Sequence, residues 1–132
     1  MGERMRLVVA FGMLLICASI TACVKPLVPV TDVASVSPSD RTVAANVQVF
    51  VTGQPSPKVE KVVSPLTAYS CKNLLWDPPA SRGNALEQLQ LKAAQAGANA
   101  LINVTFDVRG EDAWGTNCWE SVQASGTAVR IK

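Results

Sequence analysis

The pattern of apolar and polar positions divides the chain into three stretches. Leu7–Ile16 is an uninterrupted apolar run, and the segment from Val24 to Ala45 carries prolines and valines with no sustained period. From Asn46 onward, alternating and helical patterns follow one another. Alternation predicts strands, and apolar residues at helical spacing predict a helix. An ordered domain is therefore expected over residues 46–132.

Four strands and one helix are predicted in this domain, in the order β-β-α-β-β. Runs rich in β-branched and aromatic residues predict strands over residues 47–51, 59–71, 101–108 and 118–131. Pro65 lacks an N–H, which predicts an edge strand or a bend, and Gly126 predicts a bulge in the last strand. The expected fold class is α+β, with one helix packed on a four-stranded sheet.

The helix is predicted from Asn84 to Ala96. Asn84 and Glu87 have the spacing of a capping box, and Gly97 is expected to end the helix. Asn99 is expected to satisfy local backbone groups at the exit into the next strand. The apolar side chains share one face, and the small ones allow close packing on a sheet: Leu86, Leu89, Ala93 and Ala96.

The first 22 residues have the order of an export signal. Arg4 and Arg6 precede the apolar run, and small residues follow it, which is typical of a secretory signal peptide. A membrane-spanning helix is the alternative, because no charge interrupts the chain from Leu7 to Val24. The sequence ITAC at residues 20–23 resembles the lipobox of bacterial lipoproteins. That resemblance implies a signal peptide over 1–22, a lipidated Cys23 and a flexible, proline-containing tether over 23–45.

The number of cysteines predicts one disulfide. If Cys17 is removed with the signal and Cys23 carries lipid, Cys71 and Cys118 remain. An even remainder in an exported chain predicts that the two are bonded, and two buried free thiols are the alternative. A thiol-redox site is not expected, because neither cysteine belongs to a C-x-x-C pair.

Composition argues against enzymes, metal sites and nucleic-acid binding. The chain has no histidine, which excludes Ser-His-Asp and Cys-His catalysis and histidine-containing zinc sites. Its 12 Lys+Arg and 10 Asp+Glu give a net charge of +2, without the clustered cations that phosphates require. Nothing orients a base or nucleophile beside the acidic residues of the loops, which are Asp77, Asp107, Glu111 and Asp112. Glu111 and Asp112 alone supply too few ligands for Ca²⁺. No cofactor, metal or small-molecule substrate is expected.

Three tryptophans flank the two cysteines: Trp76, Trp114 and Trp119. They either cap the disulfide or form an exposed aromatic patch for a partner, since tryptophan is enriched at the energetic centres of interfaces.

The helix-to-strand segment resembles that of a known family. Residues 85–101, with the pattern ALxxLxxKAAxxGANAL, are similar to the corresponding segment of RcsF-like bacterial outer-membrane lipoproteins. Cys71, Cys118 and the SGTAV sequence at 125–129 extend the resemblance. A second disulfide of that family is not expected, because residues 108–109 and 123–124 carry no cysteine.

The resemblance implies an envelope-stress sensor that signals to a phosphorelay through protein contacts of a tethered periplasmic domain. Outer-membrane β-barrel proteins and an inner-membrane regulator are the implied partners, beside the lipid anchor. Val24 rather than Asp after Cys23 favours the outer membrane. The alternative is a structural or accessory envelope lipoprotein of cell-surface or conjugation machinery.

Overall fold

Four strands and two helices make up the fold, for which a computed structural model describes residues 36–112 and 118–132, residues 111 and 112 by backbone alone. The elements are α1 (Pro38–Ala45), β1 (Gln48–Val51), β2 (Val59–Lys72), α2 (Arg82–Gln95), β3 (Ala100–Asp112) and β4 (Cys118–Ile131). One mixed sheet has the strand order β1-β3-β4-β2. Strand β1 is parallel to β3, and the other neighbours are antiparallel. Within the described ranges, no helix is long and apolar enough to cross a membrane.

The predicted α+β class and four-stranded sheet are confirmed, but helix α1 changes the predicted element order. Its N-cap is Ser37, whose side chain accepts a hydrogen bond from the backbone N–H of Asp40 at 3.2 Å. Ala44 is buried, and Nη2 of Arg41 lies 3.9 Å from Oε1 of Glu87 in α2. The helix falls inside the segment predicted to be a flexible tether. Two turns are too short to give a sustained sequence period, and packing against α2 stabilises them.

Helix α2 packs closely on one face of the sheet. Ala85, Leu89 and Ala93 are completely buried and join one apolar core with residues of β2, β3 and β4: Ala68, Leu101, Val104, Val122, Ala124 and Ala128. The predicted close approach is confirmed at Leu89 and Ala93, whereas Leu86 is only partly buried and Ala96 is exposed at the helix end. A second buried cluster contains Ala100, Val129 and Ile131. Because successive strand residues point to opposite faces, Ala128 and Val129 place these two clusters on opposite sides of the sheet.

The start of α2 differs from the prediction. Ser81, not Asn84, is the N-cap, and its hydroxyl accepts a hydrogen bond from the backbone N–H of Asn84 at 3.1 Å. Asn84 is inside the helix, where its Oδ1 accepts from Nε2 of Gln88 at 2.8 Å. Serine and asparagine cap helices about equally well. The choice depends on a nonlocal contact, because the backbone N–H of Ser81 donates to the hydroxyl of Ser70 in β2 at 3.1 Å.

The end of α2 confirms the predicted role of Gly97. This glycine has φ +78°, and its N–H donates to the carbonyl of Ala94 at 2.9 Å. The N–H of Ala98 donates to the carbonyl of Ala93 at 2.9 Å. These two bonds define a Schellman motif, which turns the chain directly into β3.

Asn99 binds remote backbone rather than the local groups expected from sequence. Its Nδ2 donates to the carbonyl of Ile131 at 2.8 Å, and its Oδ1 accepts from the N–H of Ile131 at 2.8 Å. Its own N–H donates to the carbonyl of Val129 at 3.2 Å. The side chain thus substitutes for a strand neighbour and binds the last residue of β4.

A β-bulge lies opposite Gly126, but the extra residue belongs to β3 and not to β4. Ile102 pairs with Thr127 and Thr105 with Ser125, so two β3 residues face one β4 residue. Asn103, in the bulge, has φ 53°. A Cβ on Gly126 would lie 3.0 Å from Cγ2 of Val104 and 3.3 Å from the carbonyl oxygen of Ile102. The glycine is required by this close approach.

Strand β2 lies at the edge of the sheet, as Pro65 predicted. Lys92 of α2 reaches this edge, where its Nζ donates to the backbone carbonyl of Thr67 at 2.8 Å. One acceptor of the edge strand is therefore occupied from within the domain.

We expect Gly126→Ala to lower the free energy of unfolding by about 1–3 kcal/mol, because the methyl group overpacks the bulge. Gly83→Ala is the matched control: this helical glycine has open space around its Cβ position, and alanine there changes stability favourably by up to about 1 kcal/mol. Urea unfolding followed by circular dichroism measures both. Equal stability of the two variants would contradict the packing account.

Asn99→Ala is expected to lower the free energy of unfolding by about 1–3 kcal/mol, because it leaves the N–H and carbonyl of Ile131 without these partners. Asn99→Asp keeps the acceptor and loses the donor, so its stability should be intermediate. Asn46→Ala, at an exposed asparagine that ends α1, is the control for general effects. Thermal unfolding of the four proteins gives the order, and an Asn99→Asp variant as stable as the parent would contradict it.

Candidate functional site

A disulfide joins the end of β2 to the start of β4. Cys71 and Cys118 are bonded, with their Cα atoms 5.6 Å apart, which confirms the predicted pair. Cys118 is buried. The bond closes a loop across a sequence separation of 47, which contributes about 4 kcal/mol in the chain-entropy model. It also fixes the point from which the β2–α2 loop leaves the sheet.

The β2–α2 loop contains a hydrogen-bonded turn held by Asp77. The backbone N–H of Asp77 donates to the carbonyl of Leu74 at 3.1 Å. Its Oδ2 accepts from the backbone N–H groups of Asn73 at 3.1 Å and Leu74 at 2.8 Å. Asp77, grouped with the loop acids in the sequence, is therefore a structural residue that satisfies the backbone of the turn.

The second half of the loop is tied to two strands. The backbone N–H of Ala80 donates to Oε2 of Glu120 in β4 at 3.3 Å. The N–H of Ser81 donates to Ser70 in β2. With the disulfide at its start and these bonds at its end, the loop is held at both sides.

Large apolar side chains occupy the outermost part of this loop. Leu75 is 75% exposed and Trp76 is 80% exposed, while Leu74 is 46% exposed. We call Leu74, Leu75 and Trp76 the apolar tip. Leu75 and Trp76 are the two central residues of the turn that the Leu74–Asp77 hydrogen bond closes. Trp119, next to Cys118, is 55% exposed.

The exposure of Trp76 and Trp119 favours a patch over a cap on the disulfide. A capping side chain would itself be covered, whereas both indoles keep more than half of their surface in water. Trp114 lies outside the described residues, and so does Cys23. The two leucines of the apolar tip were missed from sequence. The available signal was three consecutive large apolar residues in a segment assigned to a loop.

The acidic residues do not form a catalytic or metal site among the described side chains. Oδ2 of Asp107 accepts from Nε of Arg109 at 2.8 Å on the surface of β3, and Asp77 holds its turn. The side chains of Glu111 and Asp112 are outside the described part. Residues 36–110 and 118–132 contain no group of three or more Cys, Asp or Glu side chains placed to hold a metal ion.

Two depressions border α1, with volumes of about 200 and 420 Å³. Arg41 and Glu87 line both of them, and the larger one is open to solvent. Small-molecule sites are usually enclosed, largely apolar cavities of about 300–1,000 Å³. Neither depression has that form.

Comparison with known proteins gives a match over the second half of the domain. Residues 77–132 match a YbjQ family model that is described as "putative heavy-metal-binding". No curated protein matches the chain. A crystal structure of a DUF74-family protein of unknown function from Pediococcus pentosaceus is 14% identical and covers 64% of this chain and 96% of its own, with a TM-score of 0.44. A similarity at that level carries no argument.

The family match corrects the resemblance to RcsF-like lipoproteins, which is wrong. The prediction of an outer-membrane stress-sensor lipoprotein in a phosphorelay is wrong as well, and the match gives no support to the accessory envelope lipoprotein. The physical reason lies in the shared motif: Gly97 ends a helix and Asn99 holds a strand. Such residues specify how a chain turns, and they are compatible with many functions.

The described residues do not fit a heavy-metal site. Soft metals bind free thiolates or imidazoles. The chain has no histidine, and both cysteines of the domain are bonded to each other. The predictions for compartment and partners remain predictions.

Asp77→Ala is expected to free the turn, because the N–H groups of Asn73 and Leu74 lose their acceptor. Amide hydrogen exchange at these two residues should become at least about tenfold faster, the equivalent of about 1.4 kcal/mol of local opening. Asp107→Ala, at a surface ion pair, is the control and should leave both amides unchanged. Unchanged exchange in Asp77→Ala would show that the carboxylate does not hold the turn.

Proposed function

We propose that this chain is a non-enzymatic binding module, and that the apolar tip together with Trp119 is its contact surface. The observation that carries the proposal is the exposure of Leu75 and Trp76 on a loop that is tied down at both ends. Burying one large apolar side chain is worth about 1.5–3 kcal/mol. A loose loop could gain this by folding back, but the disulfide and Asp77 hold these side chains outward.

The chemistry of the tip supports binding over catalysis. Tryptophan and leucine carry no acid, base or nucleophile, while tryptophan supplies a large and rigid contact area at little entropic cost. The loop is ordered before any partner arrives, so a partner does not have to supply the free energy of ordering it.

The disulfide supports a place of action outside the cytosol. Disulfides persist in oxidising compartments and are rare in the reducing cytosol. The basic n-region and the apolar run at Leu7–Ile16 agree with export. We therefore propose that the module works on the far side of the cytoplasmic membrane.

Site-specific photo-cross-linking in intact cells tests the proposal. A benzophenone amino acid replaces Trp76 in one variant and Val62 in the other. Val62 is a matched control because it is apolar, 61% exposed and located on β2. We expect an adduct, to protein or to lipid, from position 76 and not from position 62. No adduct from position 76, or equal yields from both positions, would overturn the proposed surface.

A second variant separates contact from folding. With the cross-linker at Trp119, the double substitution Leu75→Ser and Trp76→Ser should abolish the adduct while the unfolding midpoint stays unchanged, since neither side chain is buried. Val62→Ser in the same background is the control and should leave the adduct in place.

A further inference from the structure

We infer that the apolar tip binds the interfacial region of a lipid bilayer. The inference rests on the proposed function, because it names the partner of the same surface. Three features of the described residues support it: the shape of the tip, the hydrogen bonding of its backbone and the end of the domain at which it lies.

The tip is an exposed turn, which suits a bilayer. Leu75 and Trp76 stand at the centre of a hydrogen-bonded turn beyond the end of the sheet. A protein partner would need a matching pocket for two large adjacent side chains. A membrane interface accepts a protruding apolar turn without a preformed cavity, and such segments enter to a depth of about 5–10 Å.

Part of the backbone at the tip has hydrogen-bond partners within the loop, which lowers the cost of leaving water. Each unsatisfied backbone group costs several kcal/mol in hydrocarbon. The N–H and the carbonyl of Leu74 are both bonded to Asp77, and so is the N–H of Asn73. The same bonds place two N–H donors against the carboxylate, which lies behind the tip and is partly buried.

The side chains at and beside the tip match the layers of a membrane surface. Leucine prefers the hydrocarbon, and the indole of tryptophan prefers the interface, where its N–H meets water and headgroups. Lys72 precedes the loop at the end of β2. Lysine side chains near a membrane surface reach toward the headgroup phosphates.

The chain enters the domain at the same end as the tip. Arg41 of α1 lies beside Glu87 of α2. Later in α2, the side chain of Gln90 donates to the backbone carbonyl of Val47, which follows α1. Residue numbers therefore rise together along both helices, so the two run in the same direction. The start of α1 lies near the start of α2, and α2 directly follows the loop that carries the tip.

The residues before α1 include the apolar run Leu7–Ile16. A signal peptide is removed from the mature chain, whereas the membrane-spanning helix that the sequence also allows is retained. With a retained span, the chain enters the domain from a bilayer at the end that carries Leu75 and Trp76.

Depth-dependent fluorescence quenching of the full chain tests the inference. Trp114→Phe and Trp119→Phe leave Trp76 as the single emitter. The chain is reconstituted with vesicles of phosphatidylethanolamine and phosphatidylglycerol whose acyl chains are brominated near the headgroup. We expect a blue-shifted Trp76 emission that loses about half of its intensity, because an inserted indole lies at the depth of the bromines.

The control has its single tryptophan on a different surface. All three native tryptophans become phenylalanine, and Val62→Trp places the emitter on β2. This emission should be unchanged. Alkylation without reductant, followed by peptide mass spectrometry that finds Cys71 and Cys118 unlabelled, confirms in each variant that these two are still bonded.

The outcomes separate the two proposals. If Trp76 emission is unaffected, or if both emitters are quenched equally, the bilayer inference is overturned. If the cross-linker at position 76 then yields a protein adduct, the binding module stands with a protein or a second copy of the chain as its partner. If neither experiment gives a signal at position 76, both proposals fall.

Discussion

The covalent bond between Cys71 and Cys118 is the constraint on which the arrangement at this end of the molecule depends. It joins Cys71, near the end of the edge strand β2, to Cys118, the first residue of β4. Strand β4 has a neighbouring strand on each side. The end of β2 has β4 as its single neighbouring strand, and without the disulfide we expect this end to fray first. With it, the β2–α2 loop begins from a fixed point and the buried Cys118 anchors it to the core.

Much of the fold could be predicted because its signals are local. Alternating β-branched residues located the strands, and the spacing of Leu89 and Ala93 located the helical face that packs on the sheet. Gly97 predicted the helix end because few other residues adopt its positive φ. Ser81 and α1 were missed because their stability comes from contacts with Ser70 and Glu87, which are distant in sequence.

The candidate surface was predicted only in part. Tryptophans near the cysteines suggested a contact patch, but the sequence left open whether they were covered. The burial of a side chain depends on the whole fold, and three adjacent apolar residues are equally compatible with a core segment. The role of Asp77 was hidden for the same reason, since a carboxylate in a loop shows its acceptors only when the turn has formed.

The motif that suggested a family illustrates how structural residues can mislead about function. Asn99 lies in a short sequence that looks distinctive, yet its atoms bind the backbone of Ile131. Any domain that passes from a helix into a strand beside the end of another strand gains from the same arrangement. Likeness in such positions is therefore informative about architecture and uninformative about partners.

The hydrogen bond from Lys92 to the edge strand β2 has a consequence for self-association. An exposed strand of 14 residues is a template on which further copies can stack into fibrils. Lys92 fills one acceptor there, and Pro65 removes one donor close to it. Both features oppose the pairing of another strand along β2, the strand whose end leads into the exposed apolar tip.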